Sequence, residues 1–172
     1  SIRNGTIMDH VQYAHVRQGD TVFVPAGTLH ALGPGLMVYE VQQTSDWTYR
    51  VCDWGRPVTG EPPLHIEKSI RSTRADFAAP ITPPSAGDGT RHVVAQCDYF
   101  TLELLSTASI PIELDTQGET FHALTVIEGN AVLKANGISL ELDRFQTAVI
   151  PAEVGHYQAL PLTDCRILKA CV

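Results

Sequence analysis

The 172-residue sequence lacks a basic run, an apolar stretch of membrane-spanning length and any closely spaced cysteine pair, and each absence removes a class of function. Its 12 Lys and Arg stand against 19 Asp and Glu, a formal charge of −7. With no Lys/Arg stretch interleaved with aromatics, a nucleic-acid backbone is repelled more than attracted. No window approaches the ~20 apolar residues that a membrane helix needs. The N-terminus lacks the basic, apolar and small-residue sections of a signal peptide, so a cytoplasmic protein is expected. Cys52, Cys97, Cys165 and Cys171 form no CxxC, which excludes a locally built zinc knuckle or redox motif and leaves reduced thiols. Cys165 and Cys171 lie in the apolar stretch CRILKACV and read as small buried hydrophobes. What is present is a globular composition, 44% hydrophobic against 18% charged.

Along the chain, residues 6–16 place Ile7, Met8, Val11 and Ala14 or His15 at helical spacing, with Thr6 as cap and Asp9 three residues later, so a short leading helix is expected. After the turn RQGD the pattern becomes β. A first block runs through VFVP, LMVYEVQQ and WTYRVCDW, with Pro34-Gly35 as the hairpin between the first two runs. Residues 57–90, rich in Pro and Gly, read as an irregular connector interrupted at most by a turn around residues 72–77. A second block, 91–172, holds RHVVAQC, YFTLELL, IPIEL, HALTVIEG, AVLKA, ISLEL, TAVIP, YQALP and CRILKACV. Asn136-Gly137 is the strongest hairpin signal, because a type I′ turn needs positive φ at both central residues. The expected division is therefore 1–56, a partial β unit, then the connector, then a complete β domain from 91 to 172.

An internal repeat ties the blocks together. GDTVFVPAGTLHAL from Gly19 aligns with RFQTAVIPAEVGHYQAL from Arg144, and Pro25 and Pro151 each stand five residues before His30 and His156. Strand, Pro-turn, then His at the start of the next strand resembles the second motif of the cupin barrel. The fold expected from that resemblance is mainly β, a cupin-type jelly roll with its second barrel complete and its first partial.

Pro25 cannot donate to a ladder, and Gly27 allows a tight turn that returns the His30 imidazole toward the barrel, a geometry that suits a metal ligand. An isolated His in a β turn is more often a satisfied structural residue, and the PAGTLHA context reverses that preference. Beyond it, period 2 puts Glu40, Gln42 and Thr44 on one strand face and Tyr39, Val41 and Gln43 on the other. Such a polar row is either a solvent-facing edge or, beside a metal ligand, a sugar site. Arg50 stands between Tyr49 and Val51, where a guanidinium serves an ion pair or a ligand anion, with Asp46 and Asp53 as local partners.

The run GDTVFVPAGTLHALGPGLMVYEVQQTSDWTYRVCDWGRP resembles the C-terminal signature region of class I mannose-6-phosphate isomerases of the short bacterial kind. The resemblance rests on Pro-Ala-Gly-Thr-x-His-Ala, Glu-x-Gln-Gln-x-Ser-Asp and Tyr-Arg-x-x-Asp-Trp-Gly-Arg, and it continues weakly through LTVIEGNAVL and TAVIPAEVGHYQAL. It implies a zinc-dependent aldose–ketose isomerase acting on a sugar phosphate, with His30 a zinc ligand, Arg50 the catalytic arginine, and Glu40 and Asp46 lining the same site.

In that family the other ligands, a Gln-x-His pair and a Glu, precede the helical segment, and no such strand stands ahead of His30 here. A catalytic zinc takes about three protein ligands. The chain is therefore expected to be a C-terminal portion, inactive by itself, that self-associates through the incomplete barrel. In the second block only His122 and His156 are placed to meet, and two histidines without a carboxylate favour a structural or vestigial reading. The competing hypotheses are a non-catalytic cupin module binding a sugar phosphate or a protein partner, and a purely structural double cupin.

Overall fold

A computed structural model describes residues 1–52, 64–76, 79–85 and 87–172. The chain divides into two compact units, 1–38 with 44–82 and 39–43 with 83–172.

The first unit carries little regular structure. The leading helix is a single 3-10 turn, Ile7–His10, ended where Val11 turns extended at φ −74° and ψ 135°. Thr6 makes no side-chain capping bond and none of these residues is buried. Without an apolar face packed on a core, a helix this short is not held. Strand β1 is only Thr21–Val22, paired antiparallel with β2, Ile81–Thr82. The strands expected over LMVYEVQQ and over the described part of WTYRVCDW do not form, and residues 31–40 are all exposed. A strand is stabilised by cross-strand partners, and among the described residues nothing pairs with these runs. A turn does form at Pro34-Gly35, with Gly35 at φ 79°.

Where a connector with at most a turn is expected, helix α1 spans Ile66–Ser72. Its C-terminus is closed by Thr73, whose backbone N–H and side-chain Oγ1 both donate to the Ser69 carbonyl, at 2.9 and 2.7 Å. Ser69 is its one buried residue.

The second unit follows the sequence reading strand for strand. β3 (Thr90–Gln96), β4 (Thr101–Thr107), β5 (Ile112–Asp115), β6 (His122–Glu128), β7 (Ala131–Ala135), β8 (Ile138–Leu142), β9 (Thr147–Ile150), β10 (His156–Pro161) and β11 (Cys165–Cys171) form two antiparallel sheets. Their orders are β3-β4-β11-β6-β9 and β5-β10-β7-β8, the jelly-roll arrangement. Both inner faces feed one core. Leu105, Leu124, Val126 and Ile167 come from the five-stranded sheet, and Ile112, Leu114, Leu133, Leu142 and Ala159 from the other. Each fully buried aliphatic side chain contributes roughly 1.5–3 kcal/mol. The Asn136-Gly137 turn forms as expected, with φ 49° and 78°, and joins β7 to β8 in the register Ala135↔Ile138.

Candidate functional site

His30 follows a turn that only glycine accommodates. Gly27 sits at φ 92°, and a Cβ there would lie 2.7 Å from the Ser72 carbonyl oxygen and 2.9 Å from Arg74 Cγ. The turn is closed by Thr28 N–H donating to the Pro25 carbonyl (3.1 Å) and tied to the chain beyond α1 by Arg74 N–H donating to Gly27 (2.9 Å). His30 is exposed, and its Nδ1 lies 3.0 Å from the Thr28 carbonyl. A backbone carbonyl on Nδ1 selects the tautomer that leaves the Nε2 lone pair free, the arrangement commonly seen in metal-binding histidines. The repeat has the same local form. Pro151 accepts from Val154 N–H at 3.2 Å, and Gly155 at φ 68° precedes His156, the first residue of β10. His30 thus suits zinc as a single ligand. Among the described residues no three His, Cys, Asp or Glu side chains gather to complete a metal site.

Arg50 is held by its backbone. Its N–H donates to His65 Nδ1 at 3.3 Å and its carbonyl accepts from His65 N–H at 2.8 Å. Asp46 and Arg50 are exposed and form no ion pair with each other, and Asp53, the other expected partner, lies outside the described residues. Glu40 is exposed too, on the segment 39–43 that groups with the second unit. The expected alternation holds only from residue 40 onward, without a strand, since Tyr39 is exposed. Glu40, Gln42 and Thr44 are exposed, while Val41 and Gln43 are half-buried. Tyr39 Oη accepts a bond from Thr125 Oγ1 at 3.2 Å. His30, Asp46 and Arg50 thus belong to one unit and Glu40 to the other. Among the described residues no hydrogen bond or ion pair joins any two of the four.

The second barrel encloses a polar cluster that the sequence reading passed over. Glu103 on β4 and Lys169 on β11 stand opposite each other in register and are both buried, with Lys169 Nζ paired to Glu103 Oε2. Arg91 adds a two-pronged contact, Nε to Oε1 at 2.8 Å and Nη2 to Oε2 at 3.2 Å. Burial pushes the Glu103 carboxyl up, but the hydrogen bonds and charges of Arg91 and Lys169 outweigh it and hold the group below its usual value. Beside them, His122 Nδ1 meets Tyr157 Oη at 2.6 Å, both buried. Burial first, and then the Lys169 charge, lowers the His122 pKa to about 4, while burial drives Tyr157 well above the phenol range. The pair is neutral near pH 7. A signal did exist in the sequence. Glu103 is in period-2 phase with core Leu105, and Lys169 with core Ile167, which places two opposite charges on inward positions.

His122 and His156 do not meet. The His156 side chain is 90% exposed, with Nε2 3.3 Å from Asp115 Oδ2, whereas His122 faces the core. The second barrel therefore carries a buried ion pair beside its apolar core.

Residues 90–159 match the family model described as the cupin domain of mannose-6-phosphate isomerase. The protein described as probable mannose-6-phosphate isomerase GmuF of Bacillus subtilis (strain 168) is 31% identical over 150 residues, 83% of this chain and 46% of that protein. Mannose-6-phosphate isomerase ManA of the same organism is 26% identical over 172 residues, covering 95% of this chain and 53% of its own length. The crystal structure of the Bacillus subtilis mannose 6-phosphate isomerase superposes with a TM-score of 0.60 at 23% identity, over 74% of this chain and 41% of that one, a likeness of fold. The chain spans about half the length of the curated relatives it matches.

Proposed function

On the premise that residues 90–159 are a mannose-6-phosphate isomerase cupin domain, we propose that the protein interconverts mannose 6-phosphate and fructose 6-phosphate. The supporting observation is the alignment with GmuF over 83% of the chain, together with the signature run from Gly19 to Pro57. An aldose–ketose isomerisation moves a proton between C1 and C2 through an enediol, and the developing oxyanion needs positive charge beside it. Arg50 is the residue for that charge, and Glu40 and Asp46 line the sugar. His30 offers Nε2 to zinc, which when bound polarises or orients the sugar oxygens. Because a catalytic zinc takes about three protein ligands, this chain alone is expected to give no turnover. It is proposed to act in the cytoplasm and to self-associate, which light scattering tests: a dimer mass is the expected outcome and a monomer mass would overturn it.

The reading is tested by fusing the chain behind the N-terminal half of GmuF. The fusion should isomerise mannose 6-phosphate in a zinc-dependent manner, and Arg50→Ala should lower kcat by about 10²–10³, the typical cost of removing one oxyanion-stabilising group. Unchanged turnover in the mutant would remove Arg50 from the mechanism. An inactive fusion that still binds mannose 6-phosphate without zinc would favour the non-catalytic module.

A further inference from the structure

A cluster next to Arg50 has the chemistry of a binding face. Trp47, which is 73% exposed, meets Tyr49 edge-on with ring centres 6.1 Å apart. The Tyr49 ring lies 5.8 Å from that of His65, and Lys68 Nζ stands 5.8 Å from its centre. The group is stitched to residue 50 by the two His65 hydrogen bonds already described, at 3.3 and 2.8 Å. Two chain segments separated in sequence thus present, in one place, an exposed indole, a phenol, an imidazole and an ammonium.

The charges there are unbalanced. Glu67, the carboxylate nearest in sequence to Lys68, is taken by Arg3, which binds both its oxygens at 3.0 and 2.9 Å. Among the described residues neither Lys68 nor Arg50 has a carboxylate partner. In a chain of net charge −7, an exposed ammonium that meets the Tyr49 ring, and among the described residues no carboxylate, leaves its charge open to an anionic ligand. A lysine ammonium serves phosphate as a point charge, and a flat exposed ring suits the apolar C–H face of a sugar at little entropic cost.

We propose that Trp47, Tyr49, His65 and Lys68 form the recognition face for the phosphorylated sugar, with Lys68 taking the phosphate and the Trp47 ring stacking on the sugar. The proposal rests on the reading of a sugar phosphate as substrate. It makes His65 a positioning residue, since its ring and backbone fix residue 50 without touching the reacting atoms.

The test is binding to the intact 172-residue chain, without metal and without turnover, followed by chemical shifts of the Trp47 indole and the His65 and Tyr49 rings. Mannose 6-phosphate should shift these signals saturably, mannose should bind at least tenfold more weakly, and inorganic phosphate should compete. Lys68→Gln should weaken mannose 6-phosphate about tenfold and leave mannose unchanged, with Lys68→Arg restoring most of the loss. Lys68 is exposed, so an unchanged thermal midpoint is expected in both variants. Equal affinity for mannose and mannose 6-phosphate, no effect of Lys68→Gln, or no saturable shift at these rings would overturn the proposal. Because no activity is read, failure of the isomerase assay leaves this result standing, and failure here leaves the role of Arg50 to be judged by turnover.

Discussion

His122 and Glu103 give the second barrel two separable responses to acid. The neutral His122 ring is favoured by folding, with its pKa lowered to about 4 from 6.5. Above pH 6.5 neither the folded nor the unfolded state carries the proton, and the stabilisation is fully present. As pH falls from 6.5 toward 4 the unfolded chain takes up the proton first, so stability declines across that window. The loss is on the order of 2 kcal/mol. Glu103, also lowered, contributes above about pH 4.5 and is lost only below it. Urea titrations at pH 7, 6 and 5 should therefore show a slope that His122→Gln abolishes and Glu103→Gln does not. A slope unaltered by His122→Gln would assign it to another group. Single residues were legible in the sequence where one pattern fixed them. Cys165, read as a buried hydrophobe, is 3% exposed, and burial raises its thiol pKa to about 11. The charged pair Glu103–Lys169 was not legible in the same way, because each charge is favourable inside the core only through a partner 66 positions away.

At the scale of the element, turns separate glycines that need only their backbone angle from those that also need space. Gly137 has φ 78° and nothing within 4 Å of a Cβ position, so Gly137→Ala should cost only the left-handed penalty, roughly 1–2 kcal/mol. Gly129 has φ 69°, and a Cβ there would collide with the Asp164 backbone carbonyl and the Thr163 hydroxyl. Gly129→Ala should cost clearly more, about 3 kcal/mol or above, because backbone must also shift. Chemical denaturation of both variants checks the order, and equal losses would show that the 129 turn relaxes freely. The nine strands from 90 to 171 were readable because β-type runs there, several of them alternating in burial as β9 and β11 do, meet neighbours that supply their hydrogen bonds. The runs around residues 36–52 alternate too, yet Leu36, Met37 and Val38 stay exposed, since alternation specifies a face and not a partner. Helix α1 escaped notice because its seven residues, Ile66–Ser72, are too short to show a period among prolines.

For the whole molecule, the apolar core lies in one unit and the proposed chemistry, Glu40 excepted, in the other. Every residue of the hydrophobic core cluster lies between 105 and 167, in the second unit. Among the described residues of the first unit the only fully buried one is Ser69. His30, Asp46 and Arg50 stand in that sparsely packed part, where catalytic and binding residues are often carried on irregular segments. This explains why the signature could be read from sequence more readily than its geometry. Motif residues identify a site, while their relative placement comes from strands that, among the described residues, do not form. The division makes a last prediction. A polypeptide of residues 83–172 should fold by itself, since it holds both sheets and the core. It forgoes only Tyr39–Gln43 from its unit, including the Tyr39 contact to Thr125, which keeps its 2.7 Å bond to Thr147. Amide exchange should show β4, β6 and β11 protected equally in the fragment and the full chain, whereas amides of residues 1–52 in the full chain should exchange orders of magnitude faster. The fragment should also keep the His122-dependent loss of stability between pH 6.5 and 4, because its causes, burial and Lys169, are both retained. An unfolded fragment, or protection of residues 1–52 matching that of β11, would mean that the core does not set the stability of the barrel alone.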